Sequence, residues 1–243
     1  MAHRVAETSP RVVARSAGVF YLITVITGLF AEVAVRGNVI VSDDAAATAR
    51  NILASESLYR LGFAADIVGG AAYLVVTVLL YELLRPVSRR IALLAACFSL
   101  VGIAVGAIAG LGHLAPLLLL KDGYLSPFNT AQLQALALLS LKLHARGYWI
   151  GLVFFGFYET ILGYLIFRSR FLPRTLGVLV AVAGLAFLTN SFALFVAPAV
   201  GNVLNPSMLL LDSIGEISLT LWLLVVGVNV EKWEERAHAT SAS

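Results

Sequence analysis

Carboxyl and imidazole groups inside long apolar runs are the side chains of this sequence best suited to chemistry. Asp212 and Glu216 are four residues apart, which places both on one face of a helix. Asp66, His113 and His144 lie in or beside three other apolar runs. Oxygen and nitrogen donors brought together in an apolar setting can bind a cation or relay a proton. These five residues are the first candidates for a polar pocket.

Two arginines at the starts of apolar runs, Arg60 and Arg146, are candidates for the same pocket as counter-charges. Both are close enough to a run end to reach water, so an interface anchor is the alternative role. For the acids and histidines, the alternative is a buried ion-pair network that only holds helices together.

We expect Asp66 and Glu216 to form the acidic centre of this pocket, with His113 or His144 as its titratable partner. Glu159 is predicted to stand apart from them. At 1.5 Å per residue it lies about 18 Å along its run, in the opposite half of the membrane.

No motif of a known catalytic, metal or cofactor centre is present. The sequence lacks HExxH, GxSxG, a Walker-type glycine loop and a CxxC pair. Four histidines and one cysteine do not supply zinc-finger, haem c or iron–sulfur spacings. Catalytic residues, metal and cofactor therefore stay unassigned.

The apolar runs that carry the candidates indicate the fold class. The 243 residues are 60% hydrophobic and 13% charged, against roughly 45–50% and about 25% in soluble domains. Each run is long enough to cross a bilayer, which takes about 20 residues. The sequence predicts an all-α, polytopic bundle of six transmembrane helices in a single domain, 1–243. The predicted spans lie near 16–35, 61–84, 91–119, 147–167, 175–196 and 207–228.

Basic residues at the run ends predict the orientation of the chain, because an excess of them marks the cytoplasmic side. Both termini are predicted to be cytoplasmic, with three loops outside. Since the net charge of +3 is dispersed over the run ends, no nucleic-acid partner is expected. The basic residues on the predicted inner side are Arg4, Arg11, Arg15, Arg85, Arg89, Arg90, Arg168, Arg170, Arg174, Lys232 and Arg236.

Two outer loops contain short helical segments, 45–59 and 131–144. The first follows Asp43 and Asp44, and the second follows Asn129 and Thr130, all of which are helix-capping types. Both segments are too short to cross the membrane, so we predict two short outer interfacial helices. Docked placements, and a re-entrant one for 131–144, remain open.

Glycines at four-residue spacing predict close contacts between helices. Gly102, Gly106 and Gly110 form one stripe, and Gly147 and Gly151 begin another. Small residues let two backbones approach closely where no hydrophobic force drives association. The stripes serve either packing within the chain or a homo-oligomer.

Three segments together resemble the DUF4386 family, a group of uncharacterised bacterial membrane proteins. They are LYELLRPVSRRIALLAACFSLV (80–101), FFGFYETILGYLIFRSRFLPRTLGVLV (154–180) and GEISLTLWLLVVGV (215–228). The resemblance implies a multi-span helical protein of the bacterial cytoplasmic membrane and no particular activity. The family pattern often has a histidine where this chain has Tyr158 or Glu159. The positions that match the family pattern are Arg60, Asp66, His144, Gly163, Ser169, Pro173, Gly177, Glu216 and Trp222.

The leading functional prediction is a protein in the lipid bilayer with a polar pocket that opens to the outer face. That pocket would bind or translocate a small solute, an ion or a proton. An intramembrane enzyme that acts on a lipid or quinone-like substrate is the first alternative. A non-catalytic accessory membrane subunit is the second.

Overall fold

The structure, a computed structural model, describes residues 9–121 and 127–241, so Arg4 lies outside the described residues. The described chain is helical throughout its regular structure. One π-helical segment, Phe30–Arg36, follows α1 and leads into α2. The α-helices are α1 (Pro10–Leu29), α2 (Gly37–Val39), α3 (Ala45–Ala54), α4 (Glu56–Leu84), α5 (Arg89–Lys121), α6 (Thr130–Ser169), α7 (Arg174–Val196), α8 (Pro198–Val225) and α9 (Val230–Ser241).

Six helical stretches of the described chain are long and apolar enough to cross a membrane, which confirms the predicted number. Large apolar side chains stay exposed on them, as on Ile108, Leu111 and Val203, which expose 68%, 64% and 78% of their surface. Such faces suit lipid rather than water. The protein is therefore a multi-pass membrane protein. Its stretches are Pro10–Val39, Glu56–Leu84, Arg89–Lys121, Thr130–Ser169, Arg174–Val196 and Pro198–Val225.

Side-chain caps define the starts of two helices, as the sequence predicted. The Asp44 carboxylate accepts from the Ala47 N–H at 2.8 Å where α3 begins. Before α6, the Asn129 side chain accepts from the Gln132 N–H at 3.0 Å, and the Gln132 side chain accepts from the Asn129 N–H at 2.9 Å. These bonds satisfy donors that the first helical turn leaves without partners.

The segment 131–144 differs from its prediction as a separate helix. It is the first part of α6, which continues without a break for 40 residues. No proline interrupts the sequence from 130 to 169, so nothing in the backbone forces the helix to end. α3 is the separate short helix of the pair, and it ends at Ala54, so residues 56–59 of the other predicted segment begin α4.

The described chain divides into two compact units. Unit 1 holds the described residues of Met1–Leu22, Tyr73–Gly102 and Leu152–Ser243. Unit 2 holds Ile23–Ala72 and Ile103–Gly151. The single domain proposed from the sequence stays a prediction.

Glycines bring the helices of unit 1 into backbone contact. A Cβ on Gly177 would lie 2.6 Å from the backbone nitrogen of Phe167, and a Cβ on Gly163 would meet the backbone of Ala181. On α8, a Cβ on Gly215 would lie 2.6 Å from the side chain of Ala183. Since only glycine leaves room at these points, α6, α7 and α8 pack tightly beside one another.

In unit 2 one predicted glycine and one that was not predicted make close contacts between helices. A Cβ on Gly112 would lie 2.7 Å from the Ser140 carbonyl oxygen, and one on Gly147 would lie 2.7 Å from the Ala109 side chain. Gly106 has nothing within 4 Å of that position. The α5–α6 contact therefore uses Gly147 of the predicted set, together with Gly112.

Candidate functional site

Unit 1 contains a cluster of three carboxyl groups, here called the acid triad: Glu159 on α6, and Asp212 and Glu216 on α8. One oxygen from each lies within 4.8 Å of the others. Glu159 and Asp212 expose only 1% and 6% of their surface. Carboxylate oxygens at this separation are ligands for hard cations and acceptors for shared protons.

Few of the triad's oxygens have a partner. Tyr21 donates its hydroxyl hydrogen to Glu216 Oε1 at 3.0 Å, and the Tyr21 and Tyr73 hydroxyl oxygens are 3.3 Å apart. Both oxygens of Glu159 and Oδ1 of Asp212 are buried without a hydrogen-bond partner. Across residues 9–121 and 127–241, the ion pairs do not include any of these three carboxyls.

A tyrosine beside the triad also lacks a hydrogen-bond partner. The hydroxyl of Tyr158, the residue before Glu159, is buried and unpaired. Its ring contacts those of Tyr73 and Phe155 edge to face, at 6.1 and 6.5 Å between centroids. The Tyr21 hydroxyl, with the Tyr73 hydroxyl next to it, thus provides the triad with groups that can donate or accept.

The prediction that Glu159 stands apart from the other acids is wrong. It assumed that the last span begins near 207, whereas α8 begins at Pro198. Glu216 consequently lies nine residues before the end of α8, and Glu159 lies ten before the end of α6. Counts of nine and ten residues from the two helix ends correspond to similar depths at 1.5 Å per residue.

Unit 2 brings Asp66, His113 and His144 together, with one donor atom from each within 4.8 Å of the others. We call these three residues the histidine cluster. Arg36, at the end of the π-helical segment, donates from its two terminal nitrogens to the two carboxylate oxygens of Asp66, at 2.6 and 3.2 Å. Its Nε donates to Glu32 at 2.6 Å. A bidentate pair of this kind is a strong charge-assisted contact.

Both imidazole rings of the histidine cluster are fixed by backbone carbonyls. His113 Nε2 is 3.3 Å from the Tyr59 carbonyl oxygen, and the Tyr59 ring stacks on the imidazole at 4.3 Å between centroids. The Tyr59 hydroxyl donates in return to the His113 carbonyl oxygen. His144 Nδ1 is 2.9 Å from the Ala109 carbonyl oxygen.

The two arginines proposed as counter-charges lie on the surface of unit 2. Arg60 donates to Glu56 at 2.9 Å, and Glu56 also accepts from Lys121 at 2.6 Å. Arg146 is exposed and forms no ion pair within the described ranges. The counter-charge of Asp66 is Arg36, which the sequence reasoning did not select.

The five first candidates therefore separate into two groups. Asp66, His113 and His144 belong to unit 2, and Asp212 and Glu216 belong to unit 1 with Glu159. A single pocket joining Asp66 to Glu216 stays a prediction. The sequence does contain one signal for Arg36, because Glu32 and Arg36 have the i, i+4 spacing of a helical ion pair.

Comparison with known proteins assigns a group but no activity. Residues 16–227 match a family model described as "Domain of unknown function (DUF4386)". A protein of Archaeoglobus fulgidus, named only "Uncharacterized protein", is 28% identical over 152 residues, which are 63% of this chain and 75% of that protein. No solved structure matches the chain.

Proposed function

The chain belongs to the DUF4386 family, whose description names no activity, and from this premise we propose that it binds and transports a proton or a small hard cation. The binding centre is the acid triad of Glu159, Asp212 and Glu216. The observation that carries the proposal is a set of three carboxyls within 4.8 Å, two buried and one half-buried, that has no basic partner in the described chain.

Charge balance supports an exchangeable cation at the triad. A carboxylate at bilayer depth costs about 2.5–3.5 kcal/mol on insertion scales, and neighbouring carboxylates also repel one another. One oxygen of Glu159 and one of Glu216 lie within 4.8 Å of each other. A proton between them would turn this repulsion into a hydrogen bond, and a bound metal ion would have the same compensating effect.

A purely structural role explains the triad less well. Polar groups that hold helices together do so through hydrogen bonds or ion pairs. A polar group without such partners stabilises the fold no more than an apolar residue of similar size does. Three oxygens of the triad make no hydrogen bond to the rest of the described chain. They are available to a ligand, which is the usual reason for ionisable groups inside a membrane.

The tyrosines beside the triad provide groups that can relay a proton. Tyr73 and Tyr21 form a short hydroxyl chain that ends on Glu216. A hydroxyl accepts one hydrogen bond while it donates another, so protons can move along such a chain. We place the protein in the bacterial cytoplasmic membrane with both termini inside, because the basic residues at the span ends favour that orientation.

The test uses the purified chain in liposomes with a trapped pH indicator. A potassium gradient with valinomycin sets a membrane potential, and the rate of proton entry is recorded. The wild type is expected to admit protons in proportion to the potential. Glu159→Gln keeps the shape of the side chain but cannot ionise, so it is expected to lose at least about tenfold in rate.

The matched control is Glu235→Gln, which changes an exposed glutamate of α9 in the same way. Its rate is expected to equal that of the wild type. A second arm measures saturable binding of Na⁺, Mg²⁺, Ca²⁺ and Mn²⁺ to distinguish a metal ion from the proton. If neither proton entry nor cation binding changes in Glu159→Gln, the proposal fails.

A further inference from the structure

The structure assigns a second ligand to this protein: we infer that the histidine cluster of unit 2 binds one divalent transition-metal ion through Asp66, His113 and His144. This inference does not rest on the function proposed for the acid triad, because the two clusters share no residue. It rests on donor spacing, on the hydrogen bonds of the two rings and on the partners of Arg36.

The donor spacing is close to that of a metal site. One atom each from Asp66, His113 and His144 lies within 4.8 Å of the others. Ligands about 2.0–2.1 Å from a tetrahedral zinc ion lie about 3.4 Å apart. The three donors would therefore approach one another by up to about 1.4 Å when they bind one ion, which changes of side-chain rotamer can supply.

The hydrogen bonds of the rings define which nitrogens lack a proton. A carbonyl oxygen can only accept, so His113 Nε2 and His144 Nδ1 carry the protons that face Tyr59 and Ala109. The other nitrogen of each ring is then unprotonated, and on His113 it accepts from Arg36 at 3.5 Å, a bond that a metal ion would replace. Metal-binding histidines are commonly fixed by a bond from the opposite nitrogen to a carbonyl oxygen.

The two prepared rings are also held in place by packing. His113 is fully buried and stacks on Tyr59, and its Nδ1 faces Arg36 at 3.5 Å. His144 is held against α5 because Gly112 lets the two helices approach, with its Cβ position 3.0 Å from His144 Cβ. Rings that are already oriented lose little freedom when they bind an ion.

The chemistry of the donors selects the class of metal. Two imidazole nitrogens and one carboxylate suit Zn²⁺, Fe²⁺, Mn²⁺ or Co²⁺, whereas Ca²⁺ and Mg²⁺ prefer oxygen alone. Three protein ligands leave at least one coordination position open for water or a small ligand. His144 also borders a mainly apolar groove of about 410 Å³ between α5 and α6, beside Gly112 and Ser140.

Arg36 competes with the metal for the carboxylate of Asp66. Its guanidinium holds both oxygens of Asp66, so an ion must displace at least one of those bonds. Arg36 keeps Glu32 as a partner when this happens, at 2.6 Å from its Nε. The pair Glu32–Arg36 therefore sets the affinity of the cluster without belonging to the ligand set.

The experiment titrates Co²⁺ into the chelator-treated, purified protein and records its d–d absorption, followed by competition with Zn²⁺. One Co²⁺ per chain is expected, and one Zn²⁺ displaces it. His144→Gln removes a ligand and is expected to weaken binding on the order of 100-fold. His238→Gln on α9, outside the cluster, serves as the matched control and is expected to bind as the wild type does.

Arg36→Gln and Glu32→Gln give opposite results if the inference is correct. Without the competing guanidinium, Arg36→Gln is expected to bind Co²⁺ about tenfold more tightly. Glu32→Gln leaves Arg36 with Asp66 alone and is expected to weaken binding. Because Arg36→Gln is expected to raise the affinity for Co²⁺, the inference can be tested even if a histidine variant does not fold. Absence of stoichiometric Co²⁺ absorption, or equal affinity in His144→Gln and wild type, overturns the inference.

Discussion

The two clusters differ in how their charges are balanced. In unit 2 the carboxylate of Asp66 has a bidentate arginine, and the arginine has a second acid in Glu32. In unit 1 the carboxyls of Glu159 and Asp212 have neither an ion pair nor a complete set of hydrogen bonds within the described chain. The protein thus holds one ionic cluster balanced by its own side chains and one that needs an added cation.

The difference shows that ionisable residues inside a membrane do not all have one explanation. An internally paired acid can be structural, and its removal leaves the partner uncompensated. An unpaired acid cluster instead points to a ligand. Removal of a charged group should therefore destabilise the histidine cluster and stabilise the acid triad.

The largest effect is expected at the backbone contact that positions Glu159. A Cβ on Gly163 would strike the backbone of α7 at Ala181, so Gly163→Ala should destabilise unit 1 by about 3 kcal/mol. Gly106→Ala is the matched control, because nothing lies within 4 Å of its Cβ position. It should stabilise α5 by about 0.5–1 kcal/mol. Denaturation in detergent measures both, and equal effects would contradict the packing described.

Removal of Arg36 should destabilise the balanced cluster. Arg36→Gln leaves Asp66 without its cation, and about 2 kcal/mol of unfolding free energy should be lost, less than for a fully buried pair because 26% of the Asp66 side chain is exposed. Asp66→Asn in the same background should recover much of the loss, which a double-mutant cycle detects. Strictly additive effects would show that the two residues do not interact.

The same kind of change in unit 1 should have the opposite sign. Glu159→Gln removes one of three carboxyls that lie within 4.8 Å of one another, and like charges at this distance repel. The melting temperature should therefore rise, by the equivalent of about 1–2 kcal/mol. Glu235→Gln should leave it unchanged. A loss as large as that of Arg36→Gln would mean that Glu159 has a stabilising partner in the fold.

The smallest effect is expected at the one hydroxyl that the triad uses. Tyr21→Phe removes the donor to Glu216 at 3.0 Å and should cost about 0.5–1 kcal/mol. Proton entry into liposomes should fall several-fold, because Tyr73 is then no longer connected to the triad through Tyr21. An unchanged rate would exclude this hydroxyl chain from the proton path.

Features governed by local sequence could be predicted. The six spans follow from the length of the apolar runs, and the starts of α3 and α6 follow from Asp44 and Asn129. Apolar length and a side-chain cap each depend on residues close in sequence. The family could be predicted too, from three contiguous segments.

The pairing of charges could not be predicted, because it depends on where each helix begins and how it turns. Because α8 begins early, at Pro198, and ends at Val225, Glu216 lies in the second half of that helix. The π-helical turn before α2 changes the direction of Arg36 relative to a regular α-helix. Neither feature has a clear signature in a periodicity of 3.6 residues. The sequence therefore indicates Arg60 as a counter-charge, whereas in the structure Arg36 pairs with Asp66.

The most direct test of the difference between the clusters is proton entry into liposomes that contain either Glu159→Gln or Asp66→Asn. Both substitutions replace one carboxyl by an amide of the same shape. The account predicts that Glu159→Gln lowers the rate of voltage-driven entry at least about tenfold, whereas Asp66→Asn keeps at least about half of the wild-type rate. Equal rates in the two variants, or loss only in Asp66→Asn, would contradict it.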